Sequence, residues 1–90
     1  MPKVSVTLTV LNTEGLHARP AMQFVDVANR YGATVTVTKE AEVVDGKSVM
    51  GMMTLGATQG TALVIDADGD DAEAMCEALK KLFEEKFGEE

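Results

Sequence analysis

From Val4 to Val10 the chain alternates without a break: Val4, Val6, Leu8 and Val10 are apolar, and Ser5, Thr7 and Thr9 are polar. Successive side chains on a strand point to opposite faces, so this run offers one face to a core and one to water. A helix of the same length would scatter the four apolar residues around its circumference. The pattern therefore calls for a sheet covered on one face only. The rest of the chain has to supply the cover.

Two later segments have the period of a covering helix. In Ala18 to about Arg30, the residues Ala21, Phe24, Val25, Ala28 and Tyr31 form one apolar stripe, with Met22 on its flank. Pro20 falls in the first turn, where a missing N–H costs nothing, and Gly32 is placed to cap the end. Near the other end of the chain, Met75, Leu79, Leu82 and Phe83 form a second stripe. Asp70 and Glu73 have the spacing of a capping box before it, and Gly88 is expected to end it. Thr34 to Thr38, Ala41 to Val44 and Thr61 to Ala67 read as three further strands, with Lys39-Glu40 as a tight hairpin turn between the first two. A short helix from Ser48 to Leu55, capped by Ser48 and ended by Gly56, completes a βαββαβα order. The predicted fold is of the α/β (α+β) class, a sandwich of an antiparallel sheet covered on one face.

The 90 residues, 46% of them hydrophobic, are enough for one modest core, so a single domain over 1–90 is expected. Cys76 is the only cysteine; it can form no disulfide within the chain and reads as a small core residue. Met1-Pro2-Lys3 leads straight into the first strand, so no signal peptide is expected, and no apolar run is long enough to span a membrane. These features suit a cytoplasmic protein. A formal net charge of −7 argues against nucleic acid as a partner. The acidic residues of Asp66 to Asp71, with Glu84, Glu85, Glu89 and Glu90, read as a solvated face.

The only histidine, His17, lies in Gly15-Leu16-His17-Ala18-Arg19-Pro20, between the first strand and the first helix. As the N-cap of that helix it would be followed by the free N–H groups of Ala18 and Arg19. A phosphoryl group on the imidazole would meet those amides, the positive end of the helix dipole and the Arg19 guanidinium. A lone histidine in a turn equally fits a polar surface residue. Metal binding is disfavoured, because there is no second histidine and Cys76 is far along the chain. Nucleophilic and acid–base catalysis lack a partner residue, and nothing requires a cofactor.

In the short helix, Val49, Met50 and Met53 share one side, and Met52 and Leu55 the opposite one. A helix of this length cannot easily bury both, so one side is left for a partner, unless the methionines all fill gaps in the core. Ser48 fits a helix cap. It also fits a phosphorylation site beside that patch.

Together, Gly15-Leu16-His17-Ala18-Arg19-Pro20-Ala21 and Lys47-Ser48-Val49-Met50-Gly51, followed by Thr54-Leu55-Gly56 and Gly60-Thr61, resemble the two motifs of the HPr family. That family comprises the histidine-containing phosphocarriers of the bacterial phosphoenolpyruvate-dependent phosphotransferase system. The resemblance covers essentially the whole chain. It implies an open-faced β-sandwich with four antiparallel strands under three helices. It implies a carrier rather than an enzyme with turnover of its own. His17 would take a phosphoryl group at Nδ1 from phosphorylated enzyme I and pass it to an enzyme IIA domain, with Arg19 and the amides of Ala18 and Arg19 holding it. Ser48 would be the site of the ATP-dependent HPr kinase/phosphorylase. Met22, Val49, Met50 and Met53 would form the docking surface of a monomer.

The chain departs from many such proteins along the outer side of the first helix, where Asp26 and Asn29 stand and Arg30 is the only base. Its Phe-Gly-Glu-Glu ending is also similar to the nitrogen-related branch of the family. Outside the family, two readings compete. A βαββαβ small-molecule sensing module fits the first part of the element order but gives the histidine motif no purpose. An acyl-carrier-like protein built on Ser48 would be all-helical, against the strand alternation.

Overall fold

The computed structural model describes residues 2–89. Met1 and Glu90, the latter among the acidic residues assigned above to a solvated face, lie outside them. The elements are β1 (Lys3–Thr9), α1 (Ala18–Ala28), β2 (Thr34–Lys39), β3 (Glu42–Asp45), α2 (Val49–Thr54), β4 (Ala62–Asp68) and α3 (Ala72–Glu84), followed by a single 3-10 turn over Lys86–Gly88. The strands form one antiparallel sheet in the order β1-β4-β2-β3. β1 and β2 run parallel with β4 between them, so the chain needs the crossover helix α1 to pass from one to the other.

The alternation in β1 places its residues as expected. Leu8 and the following Val10 are buried, Val4 and Val6 pack partly against the core, and Ser5, Thr7 and Thr9 face solvent. Val35 and Val37 of β2, and Leu63, Ile65 and Ala67 of β4, join the same core. α1 contributes Ala21, Phe24, Val25 and Ala28; α3 contributes Met75, Cys76, Leu79 and Phe83. Phe24 meets Phe83 edge-on with ring centroids 6.1 Å apart, which joins the two helices through a pair of desolvated rings.

Four local expectations are corrected. The β2–β3 hairpin turns at Glu40-Ala41, because Lys39 still pairs with Glu42; Glu40 takes the left-handed φ of 55° that a glycine would normally supply. α1 ends at Asn29, whose N–H donates to the carbonyls of Val25 and Val27, so Gly32 is not its cap. α3 starts after Asp71, not Asp70, and no side-chain oxygen caps it. It stops at Glu84, before Gly88, because Lys86 and Phe87 both adopt a φ of 55° and break the helix. That break turns Phe87 back into the core, where it is 2% exposed and packs on Phe83 with ring centroids 4.9 Å apart.

Asp71 has a different task from capping. Its carboxylate accepts the N–H groups of Gly32 and Ala33, both at 2.8 Å, and so ties the start of α3 to the chain entering β2. The Gly32 N–H leads in holding this carboxyl below the usual carboxylate range, with Ala33, the residue's own N–H and Lys47 assisting and desolvation opposing. A carboxyl with a lowered folded-state pKa stabilises the fold above its unfolded-state pKa, and the contribution disappears as pH falls through the lower folded value. Asp71→Asn is therefore expected to lower the urea midpoint at neutral pH and to flatten its decline on acidification. Parallel declines in the two proteins would rule out this role.

Candidate functional site

Gly15 opens the site. Its φ is 73°, and a Cβ there would lie 2.5 Å from the Ala57 carbonyl oxygen and 3.0 Å from the Thr58 Cα. A side chain would be strained by conformation and blocked by backbone. The same Ala57 carbonyl accepts the Leu16 N–H at 2.9 Å, and Leu16 is buried. The chain is thus held on both sides just before His17.

His17 is the N-cap of α1, in extended conformation, and its carbonyl accepts the Ala21 N–H at 3.0 Å. Pro20 has no N–H to offer. The helix start is left with two amides, those of Ala18 and Arg19, that meet no acceptor among the described residues. Arg19 is exposed and joins no ion pair among them. The imidazole, two free amides and a free guanidinium are therefore contiguous at the positive end of an 11-residue helix, as the sequence led us to expect.

Two residues of the site were not expected. Asn12, a polar residue in the loop between β1 and α1, is fully buried. Its side-chain amide donates to the Gly15 carbonyl at 2.7 Å and to Glu89 Oε1 at 3.1 Å. Glu89 had been placed on a solvated face, yet both of its carboxylate oxygens lie against His17 Nε2, at 3.0 and 3.1 Å. The His17 hydrogen bond leads in holding the Glu89 carboxyl below the usual range; the Asn12 hydrogen bond and the positive charge of Arg19 add to it, while desolvation opposes. The one signal in the sequence was Phe87, a large apolar residue in a charged segment. Its burial beside Phe83 brings Glu89 back to a residue 72 positions earlier.

The second motif lies on α2. The Ser48 hydroxyl oxygen accepts the Gly51 N–H at 3.0 Å, which is the expected N-cap. Lys39 Nζ donates to the Leu55 carbonyl at 2.9 Å and closes the other end of the helix. Met52 and Leu55 are buried, while Met50 and Met53 are 76% and 43% exposed. The division of the helix into a core side and a free side is thus as expected. Val49 departs from it in part, being half-buried against the core. Met22, 53% exposed, lies on the adjoining helix α1. Arg30, the only base on the outer side of α1, is paired with Asp26 at 3.1 Å. Ser48→Ala is expected to lower stability by about 1 kcal/mol, the usual cost of a lost cap; an unchanged urea midpoint would show that the Gly51 bond contributes nothing.

Among the described residues no group of three His, Cys, Asp or Glu side chains is placed to hold a metal ion, and no helix is long and apolar enough to cross a membrane. A four-stranded antiparallel sheet under three helices, with a histidine capping the first, defines the class: an open-faced β-sandwich presenting an imidazole at a helix N-terminus.

Comparison with known proteins identifies the family. Residues 4–85 match the family model described as "PTS HPr component phosphorylation site". A phosphocarrier protein HPr from Xylella fastidiosa is 39% identical over 92% of this chain and 93% of its own length. The crystal structure of HPr-C-His from Thermoanaerobacter tengcongensis superposes with a TM-score of 0.89 at 43% identity, over 100% of this chain and 99% of that one. An HPr from Bacillus anthracis does so with a TM-score of 0.87 at 37% identity, over 92% and 99%. The chain belongs to the HPr family, the phosphocarriers of the phosphotransferase system.

Proposed function

We propose that His17 is the phosphoryl acceptor, taking the group at Nδ1 from phosphorylated enzyme I and passing it to enzyme IIA domains. The observation that supports this most is the arrangement at the start of α1. The one imidazole of the chain is followed by two amides and a guanidinium that have no partner among the described residues. That is enough to neutralise a phosphoryl dianion and too little to cage it, which suits a group that must leave again. The protein acts as a covalent phosphohistidine intermediate.

The exposed Met22, Met50 and Met53, with the edge of Val49, provide an adaptable apolar surface on α1 and α2 for the successive partners. Ser48 is the regulatory site for HPr kinase/phosphorylase. A phosphate on its oxygen would sit at the start of α2 and set negative charge beside Met50. An acid-stable phosphate added by ATP and the kinase, and lost in Ser48→Ala, is the expected result; a wild-type protein left unmodified by the kinase would remove this assignment.

The carrier role is tested by mixing the protein with its own enzyme I and phosphoenolpyruvate. One acid-labile phosphate per chain is expected, transferable to an enzyme IIA domain. A wild-type protein that stays unmodified would overturn the proposal. Arg19→Ala is expected to slow transfer about tenfold, since one charge-assisted hydrogen bond is worth about 1.5 kcal/mol, while the thermal midpoint is unchanged. Unaltered transfer kinetics would exclude Arg19 from the mechanism.

A further inference from the structure

We propose that Glu89 is a positioning residue for phosphotransfer: its carboxylate, steadied by Asn12, holds the His17 ring with the proton on Nε2 and the lone pair on Nδ1. The inference rests on the reading of His17 as the acceptor. It starts from which nitrogen is engaged. Both carboxylate oxygens approach Nε2, at 3.0 and 3.1 Å, and no group among the described residues reaches Nδ1. A carboxylate only accepts hydrogen bonds, so Nε2 has to be the donor. In the neutral ring the proton on one nitrogen leaves the other as the nucleophile. The contact therefore selects Nδ1 as the atom that can attack phosphorus.

Three features show that Glu89 is held in place. Phe87 is buried on Phe83 and fixes the segment two residues before it. Asn12, fully buried, donates to Glu89 Oε1 and to the Gly15 carbonyl. The Asn12 Oδ1 is left without a partner among the described residues. An unpaired buried carbonyl is unfavourable, so the amide sacrifices its acceptor to present its donor to the carboxylate. The side chains of His17 and Glu89 are 42% and 15% exposed, so the carboxylate is the more sheltered partner and the ring remains open to a second protein.

The transfer step balances without a proton leaving the site. The N–P bond of the donor's phosphohistidine breaks, and its electron pair returns to the donor imidazole. The Nδ1 lone pair of His17 forms the new N–P bond. The Nε2 proton stays where it is, so the phosphorylated ring gains positive charge, and that charge faces the Glu89 carboxylate. A carboxylate serving instead as a plug for the phosphoryl site would bond to Nδ1 or to the amides of Ala18 and Arg19. Among the described residues, the Glu89 carboxylate bonds to Nε2 and to the Asn12 amide.

The test compares wild type, Glu89→Gln and Glu89→Ala in rapid-quench transfer from phosphorylated enzyme I, together with the ring 15N shifts of His17. Glu89→Ala is expected to lower the transfer rate constant about tenfold with KM unchanged, the lower end of what a hydrogen-bond partner that orients a histidine contributes. Its 15N shifts should move toward a mixture of tautomers. Glu89→Gln keeps an acceptor oxygen, so it should retain the wild-type tautomer and lose part of the rate. A Glu89→Ala protein that transfers at the wild-type rate with unchanged shifts would overturn the proposal. A faster one would also overturn it, because Glu89 would then be an obstruction. Failure of the carrier reading is separately recognisable, since the wild type would then take no phosphate and the positioning role would fall with it.

Discussion

His17→Ala is expected to take no phosphate from enzyme I and phosphoenolpyruvate while folding as the wild type does. The loss should be complete because the chain has no second imidazole. The amides of Ala18 and Arg19 and the Arg19 guanidinium would remain, but they only stabilise a group that something else must bind covalently. The fold should survive because the His17 side chain makes no capping bond and α1 is held by Phe24, Val25 and Ala28 on its buried side. The contact with Glu89 would go, and it lies at the edge of the molecule. Two measurements suffice: intact mass after the phosphorylation reaction, and the thermal midpoint. A variant that still gains an acid-labile phosphate would move the acceptor elsewhere. An unfolded variant would make His17 structural.

Gly15→Ala carries the second large effect, and it acts on stability and transfer together. The new Cβ would meet the Ala57 carbonyl oxygen at 2.5 Å, and φ is 73°. A left-handed non-glycine residue costs about 1–2 kcal/mol, and forced overlap with backbone adds about 1–3 kcal/mol. A loss of about 2–5 kcal/mol is expected in urea unfolding. Gly60→Ala is the control. Its φ is 91°, yet nothing lies within 4 Å of the added Cβ. It should show the conformational part alone, about 1–2 kcal/mol. Because the Ala57 carbonyl also holds the Leu16 N–H, the clash at Gly15 should displace His17 as well. Phosphotransfer should therefore fall in Gly15→Ala under conditions where the protein is still folded, and should be unchanged in Gly60→Ala. Equal stability losses in the two variants would show that the approach of Gly15 to Ala57 is not tight.

What could be read from the sequence divides along a physical line. Alternation in β1 and the stripes of α1 and α3 are local patterns that report which side faces a core, and Leu8, Phe24 and Leu79 are buried accordingly. The proposed phosphoryl site is legible for a similar reason. His17, Ala18 and Arg19 are consecutive, and a helix N-terminus brings their groups together without help from distant residues. The α2 patch was legible in part from length, since a helix expected over Ser48 to Leu55 could not easily bury both of its apolar sides, and the structure leaves Met50 exposed and Met52 buried.

The unread parts depend on the sheet order or on unusual backbone. Asp71 was passed over for Asp70 because its partners, Gly32 and Ala33, are almost 40 residues away. Glu40, Lys86 and Phe87 take left-handed conformations that their identities do not announce. Phe87 thereby enters the core at a place where a helix ending at Gly88 was expected. Glu89 follows from Phe87, and the second hydrogen bond of the buried Asn12 amide, beyond the one to Gly15, depends on Glu89. The proposed acceptor and its grip on phosphate were thus legible from neighbouring residues, and the side of the imidazole that faces the protein was not.

The most direct test of the account is the position of phosphorus on the ring. Wild-type protein with 15N-labelled histidine, phosphorylated by its own enzyme I and phosphoenolpyruvate, should show phosphorus–nitrogen coupling at Nδ1 of His17 and none at Nε2. Coupling at Nε2, or phosphate on any other residue, would contradict it.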